Sequence, residues 1–242
     1  MKSRMLLQLL TFVILPCQLM GMQVPRKKLS DFDWNGASVL IYTNFNPKVG
    51  NYFMLAREKY GADKGTYDAF GGAKEAKDKT PLNTAAREFS EESRGLLGNQ
   101  QAVTEHMLKK SGTLANARSI IANEAKKFVV YIVAYNPKEF RDLTDNFYKQ
   151  QKVSMKPAEK EKDMLAHVKE SDLRDAIKNA KRDSQNKLIT PITVEAFVFQ
   201  PNGDRIKEKI TLRPLLVSTL ESFFKDLAYT QGDIPELRIY DR

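Results

Sequence analysis

Apolar runs with the length of β-strands constrain the fold of this chain more than any other feature. The strongest run lies within residues 127–135, where every side chain after Lys127 is apolar or aromatic, and it predicts a strand. Residues 37–43 predict a second buried strand and residues 52–56 a third, with a turn-forming sequence at 46–51 between them. Helical segments are mixed with these strands. The sequence therefore predicts one α/β or α+β domain, without an internal repeat or a linker.

Capping residues and apolar spacing predict the remaining elements. Thr80 is a good N-cap and Pro81 a good first helical residue, so we expect a helix from there to about residue 96. Residues 137–152 and 171–182 predict further helices, and residues 165–169 a short strand. Two strands flank the turn at 201–204 as a hairpin. A last helix places an apolar stripe toward the core, formed by Leu216, Leu220, Phe223 and Leu227. We assign residues 31–228 to the domain and residues 229–242 to a C-terminal tail.

The charge of the chain favours an anionic partner. Lysine and arginine number 39 against 30 aspartates and glutamates, which gives a formal net charge of +9. Nucleotides, nucleic acids and phospholipid surfaces all suit this balance, and it names none of them. A single cysteine excludes an intramolecular disulfide framework and a cysteine-rich zinc site. Only two histidines, His106 and His167, are present and they stand far apart, which leaves little room for a histidine-based metal centre.

The first 22 residues have the pattern of a secretory signal peptide. Lys2 and Arg4 precede an apolar run at residues 5–16, and a small residue, Gly21, follows. We therefore expect residues 1–22 to direct export to the periplasm or the exterior and to be cleaved near Gly21. The alternative is an N-terminal anchor that is retained. A run of about 12 apolar residues is shorter than the ~20 that a membrane span needs, so no integral span is predicted.

The segment most informative about chemistry lies between Gly71 and residue 97. Two glycines and a lysine-rich loop precede the helix that begins at Pro81. One face of that helix carries an apolar stripe, and another carries Glu88, Glu91 and Glu92 at positions i, i+3 and i+4. Each like-charge pair is destabilising by roughly 0.2–0.5 kcal/mol, so a functional face needs a cation. Arg87 can pair with one carboxylate, and Mg²⁺ suits the others because it takes carboxylate and phosphate oxygens. The alternative is a solvated acidic face without function.

These residues resemble the signature of the Nudix hydrolase family. That signature has a glycine, five residues, a glutamate, seven residues, and then Arg-Glu-apolar-x-Glu-Glu-x-Gly-apolar. Residues 87–92, Arg-Glu-Phe-Ser-Glu-Glu, match its densest part without a substitution, within a box from Gly72 to Gly95. Asp78 has the expected spacing from Gly72, but eight residues instead of seven separate it from Arg87. Arg94 occupies the expected glycine position, and Gly95 follows one residue late.

The resemblance implies a fold, an activity and a set of site residues. The implied fold is a sandwich of a mixed β-sheet between helices, here with an added hairpin and C-terminal helix. The implied activity is hydrolysis, dependent on Mg²⁺ or Mn²⁺, of the pyrophosphate bond in a nucleoside diphosphate linked to another moiety. The implied metal ligands are the carboxylates of the acidic face and the carbonyl of Gly72, with Arg87 orienting a carboxylate. A nucleotide-type small molecule is the implied substrate; capped RNA stays open, although no nucleic-acid motif supports it.

Family members often add a glutamate from a later loop as a base or further ligand. Glu161 is the implied counterpart, with Glu159 and Asp163 as close competitors, and the alternative is a charged loop without function. A second hypothesis is a non-catalytic nucleotide-binding module on the same scaffold. The sequence indicates no oligomeric state.

Overall fold

The computed structural model describes residues 32–44, 48–112, 117–123, 126–150, 161–185 and 188–229. These residues form nine strands and five helices in an α+β arrangement. The strands are β1 (Gly36–Asn44), β2 (Asn51–Glu58), β3 (Tyr67–Asp68), β4 (Phe70–Ala73), β5 (Ala117–Asn123), β6 (Phe128–Tyr135), β7 (Lys162–Lys169), β8 (Thr193–Phe199) and β9 (Arg205–Thr211). The helices are α1 (Pro81–Glu92), α2 (Gln100–Gly112), α3 (Pro137–Gln150), α4 (Glu170–Lys178) and α5 (Pro214–Tyr229).

The strands form one mixed sheet in the order β5-β6-β1-β2-β7-β8-β9. Strand β1 pairs parallel with β6 on one side, and its pairing with β2 on the other side is antiparallel. The short strand β4 also pairs with β1, in the register that places Gly72 opposite Ala37. This pairing brings the two consecutive glycines against the centre of the sheet.

Helices cover both faces of the sheet, which confirms the predicted α+β fold. Neighbouring residues of β1 divide between two cores, with Val39 in one and Leu40 in the other. The first core also contains Phe89 of α1 and Phe140 of α3. The second contains residues of α4 and α5, including Leu173 and Leu220. This division follows from strand geometry, since successive side chains point to opposite faces.

Most predicted elements are present, and their ends differ for identifiable reasons. Thr80 caps α1 as predicted, because its side-chain oxygen accepts a hydrogen bond from the Asn83 amide at 3.2 Å. Helix α1 ends at Glu92 rather than near residue 96, because Arg94 and Gly95 both have positive φ angles, 65° and 69°. The strand predicted at 165–169 begins earlier, at Lys162, where it extends its pairing with β2.

Three further expectations have different outcomes. Helix α4 begins at Glu170, one residue before the predicted start, and it ends at Lys178 rather than near residue 182. The hairpin of β8 and β9 is confirmed, with Gly203 in its turn at a φ of 93°. The predicted signal peptide, residues 1–22, and the tail from residue 230 lie outside the described residues. No helix within the described ranges is both long enough and apolar enough to cross a membrane.

Candidate active site

Helix α1 is held on the sheet by its apolar stripe, which fixes the direction of its acidic face. Ala85, Ala86 and Phe89 are buried, and the ring of Phe89 meets that of Phe70 in β4 with a centroid distance of 5.1 Å. Because β4 and α1 pack together here, the side chains on the adjacent flank of α1 lie beside the two glycines. The apolar stripe predicted from the sequence therefore positions the carboxylates.

A cavity of about 450 Å³ lies between α1, β4 and the ends of β2 and β7. All six site residues predicted from the sequence line it: Gly72, Arg87, Glu88, Glu91, Glu92 and Glu161. Further lining comes from residues that the sequence did not indicate, which are Glu58, Tyr60, Gly61, Ala62, Asp63, Gly71, Ala73, Glu75 and Arg213. Four separate stretches of the chain thus bring carboxylates to one place, namely residues 58–63, 71–75, 87–92 and Glu161.

Arg87 ties the acidic residues of this cavity together. Its buried guanidinium donates to Asp78 at 3.0 Å and to the Ala73 carbonyl at 2.8 Å. The same group pairs with Glu88 at 2.8 Å and with Glu91 at 3.3 Å. Burial opposes its charge, but the hydrogen bond to Asp78 and the charge of Glu88 outweigh burial and raise the pKa of Arg87. Asp78 therefore reaches Arg87 despite the longer loop between them.

Gly72 leaves room for the carboxylate of Glu88. A Cβ placed on Gly72 would lie 2.6 Å from Cδ and Oε1 of Glu88 and 2.7 Å from Oε2. The Glu88 side chain is only 12% exposed. Burial raises its pKa to about 7, in spite of Arg87, and the nearby carboxylates of Glu91 and Glu161 raise it further. A cation beside Glu88 would relieve this crowding of negative charge.

The backbone groups of β4 alternate between the helix and the sheet. The Gly71 amide donates to Glu92 at 2.6 Å, and the Ala73 carbonyl accepts from Arg87, so both residues face α1. The Lys74 amide donates instead to the Asn35 carbonyl at 2.8 Å. The oxygen of Gly72 likewise lies toward β1, 2.6 Å from where a Cβ of Gly36 would be. By this alternation we expect the Gly71 carbonyl on the same side of β4 as the Gly71 amide, which is the side of α1.

Lys162 is a site residue that sequence reasoning missed. Its side chain is fully buried, and its ammonium contacts Glu58 and lies 3.3 Å from Glu92. Glu58 also meets Arg213, at 3.5 Å. No local pattern marks Lys162, because it stands in a stretch rich in lysine and glutamate. Only the long-range pairing of β7 with β2, which places Lys162 opposite Glu58, could have found it.

Arg94 occupies the position at which the family signature has a glycine, and its side chain makes specific contacts there. Its left-handed backbone conformation is unfavourable for a side chain with a Cβ. Its guanidinium donates to the carbonyls of Lys162 at 2.6 Å and of Phe147 at 3.3 Å, and it stacks on the Phe147 ring at 4.0 Å. These contacts offset the backbone strain and connect the end of α1 to the start of β7.

The residues considered for a distal glutamate have different surroundings. Glu161 lies at the cavity rim, where its carbonyl accepts a hydrogen bond from the Lys59 amide at 2.8 Å. Asp163 instead forms a two-pronged pair with Arg57, at 2.9 Å for each contact. Glu159 lies outside the described residues. Of the two described residues, Glu161 and Asp163, Glu161 is the one that lines the cavity.

His167 lies in the core, away from the cavity. It packs between the rings of Phe140 and Phe199 and exchanges a hydrogen bond with the Thr144 hydroxyl at 2.8 Å. Burial lowers its pKa to about 3, so the imidazole is neutral near pH 7. Its role is to pack the sheet against α3.

The donor set of the cavity suits a hard cation. Within the described ranges, no group of three or more His, Cys, Asp or Glu side chains is already arranged to hold a metal ion. Mg²⁺, however, is commonly bound by one or two carboxylates together with waters and substrate phosphates. Glu88 and Glu91 supply oxygen donors of this kind, and burial raises the pKa of Glu88 to about 7, so its carboxylate would gain from a nearby cation. The residues present therefore fit Mg²⁺ or Mn²⁺.

Comparisons with known proteins give distant structural neighbours. No known family profile and no curated protein matches the sequence. One neighbour is the Nudix hydrolase RenU of M. smegmatis, with 14% identity and a TM-score of 0.38, over 81% of this chain and 88% of that one. A MutT/Nudix family protein of Enterococcus faecalis has 11% identity and a TM-score of 0.42, over 88% of this chain and 68% of that one. A Nudix hydrolase of Nitrosomonas europaea has 9% identity and a TM-score of 0.30, over 85% and 80%.

Fold and site together define an α+β protein with a carboxylate-lined cavity between a helix and two strand ends. The three structural neighbours are Nudix hydrolases, at similarities too low to carry an assignment by themselves.

Proposed function

We propose that this chain is a Nudix-type hydrolase that cleaves the pyrophosphate bond of a nucleoside diphosphate linked to another moiety. The observation that carries the proposal is the convergence of Gly72, the acidic face of α1 and Glu161 on one cavity. Helical spacing shows that the three glutamates share one face of α1, but it does not determine whether that face lies in a cavity or on the open surface. Its position beside two glycines, with Arg87 joining four carboxylates, is what a functional site requires.

In this proposal Glu88 and Glu91 hold a Mg²⁺ or Mn²⁺ ion together with a backbone carbonyl of β4. The sequence implied the carbonyl of Gly72, and the alternation along β4 favours that of Gly71. Glu92 completes the acidic face but is already bound to Lys162 and to the Gly71 amide. When bound, the ion supplies neutralisation of phosphate charge and a lower pKa for a coordinated water.

The protein's own residues account for the other parts of the reaction. Arg87 holds Glu88 and Glu91 in fixed orientations, which keeps the ligands preorganised. Glu161 accepts the proton from the attacking water as general base. Water oxygen then bonds to one phosphorus, the bridging P–O bond breaks, and the departing phosphate takes its electron pair. The net charge of +9 attracts the anionic substrate.

A panel of phosphoric anhydrides tests the proposal. Nucleotide sugars, dinucleoside polyphosphates, ADP-ribose and capped RNA are incubated with the protein and Mg²⁺, and release of nucleoside monophosphate is measured. We expect release from at least one substrate, and a large loss of turnover in Glu91→Gln. The absence of release from every substrate would contradict the proposal.

A second candidate function is nucleotide binding without catalysis. The observation that favours it is the ion pair between Glu92 and Lys162, because a carboxylate paired with a lysine is not available to bind a metal ion. The same panel distinguishes the two functions, because the binding module predicts saturable nucleotide binding without turnover.

We also propose that the chain is exported and processed near residue 21. The basic start and the short apolar run support this proposal. Intact-mass measurement of the protein from its natural host tests it. Residues 1–22 still attached to cytoplasmic protein would contradict it.

A further inference from the structure

Lys162 places an ammonium group directly behind two residues of the cavity lining, Glu58 and Glu92. Its side chain is 0% exposed, which for an unpaired ammonium would be strongly unfavourable. Burial acts against its charge, but Glu92, Asp68 and Glu58 outweigh burial and raise the pKa of Lys162 above its ordinary value. Its ammonium lies between two carboxylates, those of Glu58 and Glu92, and this pairing is what allows a buried side chain to carry a positive charge.

Glu92 has both carboxylate oxygens engaged, unlike its neighbours on the acidic face. Oε1 lies 3.3 Å from the Lys162 ammonium, and Oε2 accepts the Gly71 amide at 2.6 Å. The residue is 3% exposed. The side chain of Glu91, by contrast, is 37% exposed. The three glutamates look equivalent in the sequence, but they do not have equal access to a ligand in the cavity.

Neighbouring contacts hold both the backbone carbonyl and the side-chain ammonium of Lys162. The Arg94 guanidinium donates to its carbonyl at 2.6 Å, and its ammonium contacts Glu58, the residue opposite it in β2. Arg213 then meets Glu58 and also Asp68, at 3.0 Å. Positive and negative groups alternate along this wall, so the ammonium is held between Glu58 and Glu92.

We propose that Lys162 is a positioning residue whose ammonium neutralises Glu92 and fills the place between Glu92 and Glu58, which leaves Glu88 and Glu91 to bind the divalent ion. This inference rests on the proposed function, since it assigns the ligands of the metal proposed there. A divalent ion between Glu58 and Glu92 would need the space and the charge that the lysine already supplies. Lys162 thereby limits how many divalent ions the cavity takes.

Mn²⁺ binding to the full chain tests the inference without reference to activity. Free Mn²⁺ is measured by electron paramagnetic resonance during a titration, which yields the number of bound ions and their affinity. In Lys162→Ala, which removes the charge and empties the space between Glu58 and Glu92, we expect one additional bound ion. Glu92→Gln should bind Mn²⁺ like the wild type, whereas Glu91→Gln should bind it about tenfold or more weakly. Lys127→Met is the control, because Lys127 pairs with Asp33 on the surface; its Mn²⁺ binding should equal that of the wild type.

Each result either supports or overturns the inference. It is overturned if Glu92→Gln weakens Mn²⁺ binding as much as Glu91→Gln does, or if Lys162→Ala binds no additional ion. A wild type that binds no Mn²⁺ refutes the metal site of the proposed function itself, which is a distinct result. Should Lys162→Ala fail to fold, Lys162→Met/Glu92→Gln should fold and bind Mn²⁺ like the wild type, because its charges are again matched and the space is filled. A double variant that also fails to fold would show that neutralising Glu92 does not account for the role of Lys162, and it would overturn the inference.

Discussion

Replacing Gly72 with alanine should impair the metal site while leaving the fold intact. The new Cβ would lie 2.6 Å from Cδ and Oε1 of Glu88, closer than the 3.0 Å below which real Cβ contacts essentially never fall. The Glu88 carboxylate is the end of a flexible side chain, so it can rotate away, whereas the strand atoms cannot move. The substitution therefore displaces a proposed metal ligand without disturbing β4.

The expected magnitudes separate stability from function. Gly72 does not have a positive φ, so alanine is compatible with its backbone, and the free energy of unfolding should change by about 1 kcal/mol or less. Disturbing a ligand or its support typically weakens metal affinity about 10–100-fold. Urea unfolding measures the first quantity, and a Mn²⁺ titration with Mg²⁺-dependent turnover measures the second.

Gly71→Ala is the matched control. Its Cβ would lie 2.2 Å from Cβ of Ser38 and 2.5 Å from the Ala37 oxygen, which belong to the paired strand and cannot rotate away. We expect destabilisation by roughly 1–3 kcal/mol or more, as in overpacked cores. If Gly72→Ala instead keeps wild-type Mn²⁺ affinity and turnover, the position of the Glu88 carboxylate has no part in the site, and the reasoning is refuted.

Three further predictions concern stability. Phe89→Ala removes a buried ring from the stripe that holds α1, so it should destabilise the protein by about 3–5 kcal/mol in urea unfolding, and activity should be lost only through unfolding. His167 has an ordinary pKa of 6.5 and a folded-state pKa of about 3, so the unfolded chain binds the extra proton between these values. Wild-type stability should therefore be full above pH 6.5 and fall toward pH 3, by up to about 1.4 kcal/mol per pH unit from this residue; His167→Gln should lack this component, and parallel pH curves for the two proteins would contradict the assignment. Arg94→Ala and Arg94→Gly lose the same contacts, but only alanine keeps the strain at a φ of 65°. The glycine variant should therefore be more stable by about 1 kcal/mol, measured by urea unfolding, and equal stabilities would argue against strain at this position.

The sequence predicted those parts of the site that depend on local geometry. Helical spacing placed Glu88, Glu91 and Glu92 on one face of the helix and Phe89 on another. Helix capping by Thr80 was equally local. Gly72 was identified as important from the sequence, and the structure adds that its missing side chain makes room for Glu88.

The rest of the site depends on long-range pairing that no local pattern encodes. Lys162 and Glu58 are 104 residues apart and meet only because β7 pairs with β2. Helix α2 was missed because its apolar pattern is sparse, with Val103 and Met107 as its buried apolar residues among the side chains described. The early end of α1 required knowing that Arg94, despite its Cβ, adopts the left-handed conformation.

The most direct test of the metal site is the melting temperature of the wild type and of Glu91→Gln, each measured with and without Mg²⁺. A ligand that binds only the folded state at 100 times its dissociation constant stabilises it by about 2.7 kcal/mol. The wild type should therefore melt at a higher temperature when Mg²⁺ is added, and Glu91→Gln should shift much less while keeping similar stability without metal. If Mg²⁺ shifts neither protein and Glu91→Gln retains turnover, Glu91 is a surface charge and the proposed metal site is wrong.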